Sequence, residues 1–318
     1  MENPNSLHVA GGLEVSFPVM MTTPPKKSPT KINIIVLSIP LIDARVINMI
    51  LLTLGTGLNF LIILVIVCKP SFRTSSNLYV VSLACSNMVI LVEPLEEILK
   101  WFFDVNLRLN MDYVCMISFD VSIITIAILK FMLYIGMFQE QTTFGHTLLK
   151  MSTALKGILL IWSACIVSLA IGLHIYDFFE GDMADIYVWF TFMFIVMPLI
   201  ICIALGCLII YELTILKAIE GSWRTKELRH FFMLVVVLIA FFLIRAPYRV
   251  ARAINFIEPK ALCCTDSRRE VLYFMAKTYP TVFSIIYISL SNEFYEIFRI
   301  LKRVCQKSHK EANDDIAI

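Results

Sequence analysis

Seven stretches of the chain are long and apolar enough to cross a bilayer: Val46 to Cys68, Leu78 to Leu99, Tyr113 to Phe138, Gly157 to Tyr176, Ile186 to Tyr211, Phe231 to Ile254 and Val271 to Leu290. A helix needs about 20 apolar residues to span roughly 30 Å of hydrocarbon. Lipid offers no hydrogen-bond partners, so each stretch must satisfy its own backbone, and a helix does this. The chain has 318 residues, 58% hydrophobic and 16% charged; an ordinary soluble domain carries about 25% charged residues. Little remains for a separate soluble unit. The expected fold is all-α, a seven-transmembrane helix bundle over 45–291 embedded in the lipid bilayer, with a short amphipathic eighth helix over 292–304 and a cytoplasmic tail over 305–318.

Residues 1–44 are polar, lack helical periodicity and contain Pro4, Pro18, Pro24, Pro25, Pro29 and Pro40, which reads as a disordered extracellular tail. Ile32 to Ile42 is apolar but short and lacks a small-residue cleavage pattern, so it is not read as a cleaved signal peptide. The nine cysteines form no CxxC pair and the five histidines are scattered, so no metal site is expected. No Ser/His/Asp or Cys/His arrangement and no Gly-rich phosphate loop is present, so the chain reads as neither an enzyme nor a cofactor binder. The net charge of +2 points to no particular partner, and no nucleic acid is expected.

The sixth stretch carries the strongest internal signal. Pro247 lies inside it, where a proline removes a backbone hydrogen bond and kinks a helix. Arg245, Arg249 and Arg252 share one face, at i, i+4 and i+7. A charge at bilayer depth costs about 2.5–3.5 kcal/mol on insertion scales, so this face should look into a polar interior or pair with acids. Two readings stand for Arg245: an anchor for an acidic ligand, because a guanidinium forks onto a carboxylate, or an internal ion pair with Glu93 or Asp120. Arg249 and Arg252 are expected to snorkel toward the membrane interface.

Lys130 sits near the middle of the third stretch, and Asp120 is about 15 Å away along the helix, too far for a direct pair. Lys130 either locks the core with its charge or bonds carbonyls and Asn87.

Gly57-x-Asn59 with Leu61 to Val67, then Arg73 to Leu78, then Leu83-Ala84-x-x-Asn87, resembles the first two helices of rhodopsin-like G-protein-coupled receptors. The resemblance continues with Trp101, Cys115, Trp162, Pro198, Phe241 with Pro247-Tyr248, and Tyr287 seven residues before Phe294, and covers Val46 to Lys302. It implies a cell-surface receptor in the plasma membrane, N-terminus outside and C-terminus inside, with an extracellular ligand and a heterotrimeric G protein as partners. It also implies a core switch around Asn59, Asn87, Lys130, Phe241, Pro247 and Tyr287, and a G-protein-facing surface around Gln139, Glu140, Gln141, Arg224 and Lys226. Counting Lys and Arg by compartment supports the inner C-terminus only weakly. With that orientation the charges point to a peptide or acidic ligand near Arg245, Arg249, Glu93 and Asp120. Asp177, Glu180, Asp182 and Asp185 oppose Arg252, Lys260, Arg268, Arg269 and Lys277 across the outer loops.

The chain also departs from the family pattern. Asn87 stands where the family has a sodium-binding aspartate, and Gln139-Glu140-Gln141 replaces its acidic-Arg-Tyr triplet. Arg245 takes the place of a tryptophan, and Phe283 to Tyr287 keeps only the tyrosine of Asn-Pro-x-x-Tyr. By the same resemblance Cys115 would bond a cysteine of the second outer loop; that loop has none, leaving Cys263 or Cys264. After the last stretch, Phe294, Ile297, Phe298 and Leu301 share one face with Asn292 as cap. Cys305 follows as a lipidation candidate. Readings of other classes are a receptor-like protein that does not signal and a seven-span ligand-gated chemoreceptor channel.

Overall fold

The computed structural model describes residues 41–105, 111–179, 183–257 and 266–299, and the described residues are helical with no strand. Among the described residues the helices follow one another as α1 (Leu41–Cys68), α2 (Ser75–Val89), α3 (Val92–Phe103), α4 (Met111–Phe138), α5 (Thr143–Leu148), α6 (Met151–Phe179), α7 (Met183–Glu220), α8 (Thr225–Ile244), α9 (Ala246–Ile257) and α10 (Asp266–Leu290), with a short helical turn at Pro70–Phe72. Seven segments are long and apolar enough to cross a membrane, in the places the hydropathy predicts. They are the segments of a multi-pass membrane protein.

Helix boundaries differ from expectation where backbone chemistry intervenes. The first helix begins at Leu41, inside the segment read as tail. The second span is two helices joined at Ile90 and Leu91, and it runs on to Phe103 before Asp104 ends it with a left-handed φ of 53°. The fifth reaches Glu220, so at 1.5 Å per residue its 38 residues measure about 57 Å and outrun the bilayer core. The sixth span breaks at Arg245, two residues before Pro247. The Arg245 N–H still reaches Phe241 O at 2.9 Å, but Pro247 has no N–H to continue the ladder.

The spans divide into an inner and an outer set. In the most apolar window of the second, third and sixth, 56%, 50% and 50% of residues are buried, against 28%, 17% and 22% in the first, fourth and fifth. The third span is the axis. Phe119, Ile123, Ile126 and Met132 along it join Leu83, Phe241, Phe283 and Tyr287 in one continuous core. Phe60, Leu64, Leu160 and Ile200 are exposed on the outer set, as side chains facing lipid should be.

Polar tethers fix neighbouring spans. Asn59 Nδ2 donates to Gly55 O at 2.7 Å and across to Pro280 O at 3.0 Å, tying the first span to the seventh. Trp162 Nε1 donates to Ser82 Oγ at 3.0 Å, tying the fourth to the second. Residues 292–299 are helical, which covers the first part of the expected eighth helix; Leu301 and Cys305 lie outside the described residues. The cap is Ser291, whose Oγ accepts from the Phe294 N–H at 3.3 Å. Asn292, expected as the cap, instead accepts from Arg229 Nε at 2.8 Å and donates to Lys226 O at 3.1 Å, which binds this segment to α8.

Candidate functional site

At one end of the bundle buried charges and their polar partners join six spans, all but the fourth. Arg249, expected to snorkel, is 2% exposed and meets Asp120 of α4 at 3.0 Å. Two physical facts hold it inside. Its side chain leaves α9 next to the break, and a buried carboxylate one helix away offers a pairing that the interface cannot match. Its Nε also donates to Thr191 Oγ1 of α7 at 3.4 Å. Arg249 thus joins the third, fifth and sixth spans.

Arg245 forms neither of the ion pairs expected of it. It is 1% exposed, and its guanidinium donates to Ser118 Oγ and Ser122 Oγ, both at 3.0 Å, and to Ser118 O at 3.4 Å. The rings of Phe119, Phe241 and Tyr279 lie 5.5–5.7 Å from its Cζ, so aromatic faces take up part of the charge. Serines extend the ladder: Ser122 Oγ and Ser86 Oγ are 2.8 Å apart, and Ser118 Oγ donates to Ser86 O at 2.5 Å. The hinge residue of the sixth span is therefore bolted to the third, and through it to the second.

Glu93 pairs with Lys277, not with an arginine. Lys277 Nζ is 2.9 Å from Glu93 Oε2 and donates to Asn48 Oδ1 at 3.4 Å, while Asn48 Nδ2 donates to Glu97. Lys277, grouped by sequence with the basic residues of the last outer loop and its flanks, is 1% exposed in the interior of α10. Its signal was present in the sequence: it lies inside the seventh apolar stretch, where a lysine marks a buried partner. Asn48, Ser118, Ser122 and Thr191 carried no such signal, because small polar residues are ordinary in packed membrane helices.

The four residues expected to bind a ligand thus fall into two internal groups, Arg245 and Arg249 with Asp120, and Glu93 with Lys277. The side chains of 175–187, Arg268 and Arg269 are not described, and Lys260, Cys263 and Cys264 lie outside the described residues. The acidic loop and the disulfide expectation lie there too.

In the middle of the core, Lys130 Nζ donates to Cys202 O at 3.3 Å, and a Cβ on Gly206 would sit 3.8 Å from it. A carbonyl partner was expected and Asn87 with it, but Asn87 is fully buried and neither end of its amide has a hydrogen-bond partner. Phe241 is fully buried with its ring centroid 4.7 Å from that of Phe119 and 5.4 Å from that of Tyr279. Tyr287 stacks on Phe283 at 6.0 Å and meets Phe294 at 6.1 Å. Pro247 is half-buried.

The opposite end opens into a cavity of about 920 Å³ between the ends of the second, third and sixth spans and the 292–299 segment. Glu140, Gln141 and Arg224 line it; Lys226 is exposed to one side, and the Gln139 carbonyl accepts from Thr142 at 3.0 Å. No family model and no curated protein matches the chain.

Proposed function

We propose that the chain is a cell-surface G-protein-coupled receptor of the rhodopsin-like type, with its N-terminus outside the plasma membrane and its C-terminus inside. It takes a peptide or an acidic ligand at the arginine end and meets a heterotrimeric G protein at the cavity end. The observation that carries this reading is the broken sixth span, whose two pieces meet at Arg245 and whose far piece is tied to the third span by Arg249 and Asp120. A helix in two pieces, held by a polar contact that an incoming carboxylate can replace, is an element with two arrangements. A ligand shifts such an equilibrium by its differential affinity for the two.

In the closed arrangement Arg245 and Arg249 offer no surface, so a ligand's acidic group acts by competing with Asp120 for Arg249. Movement of α9 then carries to α8 through Arg245, and from α8 to the cavity lined by Arg224, Glu227 and His230.

The test has two stages. Antibody access to tags at each terminus, in intact and then permeabilised cells, fixes the orientation. Ligand screening against G-protein dissociation sensors then reads coupling. An inside N-terminus overturns the proposal, and a ligand-evoked current identifies a channel instead. If Arg245→Ala and Arg249→Ala leave the affinity of a discovered agonist unchanged, the acidic-ligand part fails. A receptor-like protein that does not signal is the second reading, supported by Glu140 standing where the family has its G-protein-contacting arginine; ligand binding without G-protein dissociation identifies it.

A further inference from the structure

On the flank of the bundle the third, fourth and fifth spans enclose a second cleft, of about 410 Å³. Ile124 of α4 forms its floor, Ser168 of α6 stands on one side, and α7 lines the other from Trp189 to Ile201. None of the lining residues is charged. Trp189, Met193, Met197 and Ile201 are exposed at its mouth, continuous with Ile166 and Val167 of α6 and Ile200 of α7. These side chains lie within apolar spans, so the mouth opens to lipid, and molecules of the bilayer reach it without crossing water. The cleft also has a defined depth. Trp189 is the second residue of the fifth span, and Ser168 lies four residues, about 6 Å, from Gly172 at the end of the fourth. From Trp189 to Ile201 the α7 wall runs about 18 Å at 1.5 Å per residue, a little over half of the roughly 30 Å hydrocarbon layer. The cleft therefore runs from the membrane interface through one leaflet.

We propose that this cleft binds a sterol drawn from the bilayer, its hydroxyl donating to Ser168 Oγ and its fused rings lying on Phe190 and Phe194. Three observations select that chemistry. Ser168 carries the one hydroxyl among the lining residues, and its Oγ already donates to Cys165 O at 3.0 Å, which leaves its lone pairs to accept one O–H at interface level. Phe190 and Phe194 are stacked, with centroids 5.9 Å apart and 22° between their planes, and so form a flat wall along α7. A rigid ring system covers such a wall without losing internal freedom, which a flexible acyl chain would have to give up. Met193 and Met197 beside the wall are flexible enough to follow the uneven face of the rings. The lack of charge in the lining excludes a phospholipid headgroup, whose phosphate would find no cation there. The volume falls within the range of small-molecule pockets, about 300–1,000 Å³. Thr191, which accepts from Arg249, lies on the same stretch of α7, so an occupied cleft braces α7 against α4 directly behind the arginine layer. Placing the cleft in the outer leaflet rests on the orientation proposed above; the class of ligand does not.

The experiment uses the full chain in phosphatidylcholine nanodiscs that contain a cholesterol analogue with a photoreactive diazirine on its rings. After illumination, mass spectrometry of the digested chain locates the label. Saturable labelling of the segment 189–201 is expected, removed by excess cholesterol and not by dioleoylglycerol, which also brings a hydroxyl to the interface but has an acyl body. M193W fills the cleft and is expected to cut this labelling at least about tenfold. I200W, an exposed change on the same helix outside the cleft, is expected to leave it unchanged; equal unfolding temperatures show that both variants are folded. S168A removes one acceptor and is expected to raise the cholesterol concentration for half-competition about fivefold. The proposal is overturned if labelling does not saturate, if dioleoylglycerol competes as well as cholesterol, if folded M193W labels like the parent chain, or if S168A leaves half-competition where it was. Terminal tags facing the wrong way, or silent G-protein sensors, sink the receptor reading and leave this result standing.

Discussion

The two ends of the bundle hold similar numbers of charged groups and treat them in opposite ways. At the arginine end Asp120, Arg249 and Lys277 are nearly inaccessible and matched at 2.9–3.0 Å. At the cavity end Glu140 is exposed and Glu227 half-buried, with no ion pair for either among the described residues. A charge in a low-dielectric interior costs several kcal/mol unless a partner and hydrogen bonds offset it, so the buried layer is closed on itself. Water screens the charges at the open end, and they remain available. One end holds the helices together; the other is free to hold something else.

The largest effect should come from leaving one buried charge alone. Asp120→Ala removes the carboxylate that Arg249 meets and is expected to destabilise the fold by about 3–5 kcal/mol, read as a drop in the unfolding temperature of the purified protein. Replacing both partners, D120L with R249M, should recover most of that loss. A double variant as unstable as the single would mean that the pair is not what Asp120 contributes.

Lys277→Met should cost less, about 1–3 kcal/mol, because Glu93 is more accessible than Asp120 and can turn to water. The same unfolding measurement ranks the two, and an equal or larger loss would contradict the difference in burial. Ser118→Ala with Ser122→Ala removes two hydrogen bonds from the Arg245 guanidinium; at about 1.5–3 kcal/mol for a bond to a charged group, discounted for the aromatic faces that remain, about 2 kcal/mol is expected. Smallest of all, Glu140→Gln and Glu227→Gln should change stability by less than about 0.5 kcal/mol each. A larger loss at either would erase the contrast between the ends.

Much of the architecture was legible in the chain. Hydropathy alone located the seven spans, because lipid forces each one to be a self-contained helix. Pro247 located the break in the sixth, and Asn59 was singled out as a core residue. The pairing inside the charged layer was not legible. By sequence Arg249 belongs at the interface, because snorkelling is the ordinary fate of an arginine near a span end; only the placement of Asp120 opposite it brings the charge inside. Lys277 lies inside the stretch that begins at Val271, but its partner Glu93 is 184 positions away and nothing near Lys277 in the chain names it. Asn292 looked like a cap by position, and the cap fell to Ser291 because Asn292 is drawn to Arg229 on another helix.

The sequence by itself determined how many spans there are, how long the apolar part of each must be, and which residues carry charge into them. These follow from one-dimensional quantities, the run length of apolar residues and the backbone's need for internal hydrogen bonds. The tertiary structure alone decided which charge meets which. Arg249 finds Asp120 129 positions earlier, and Lys277 finds Glu93 184 positions earlier, through the angle and rotation at which helices pack. Helix packing is set by the side-chain surfaces of both partners together, and no single stretch contains that information.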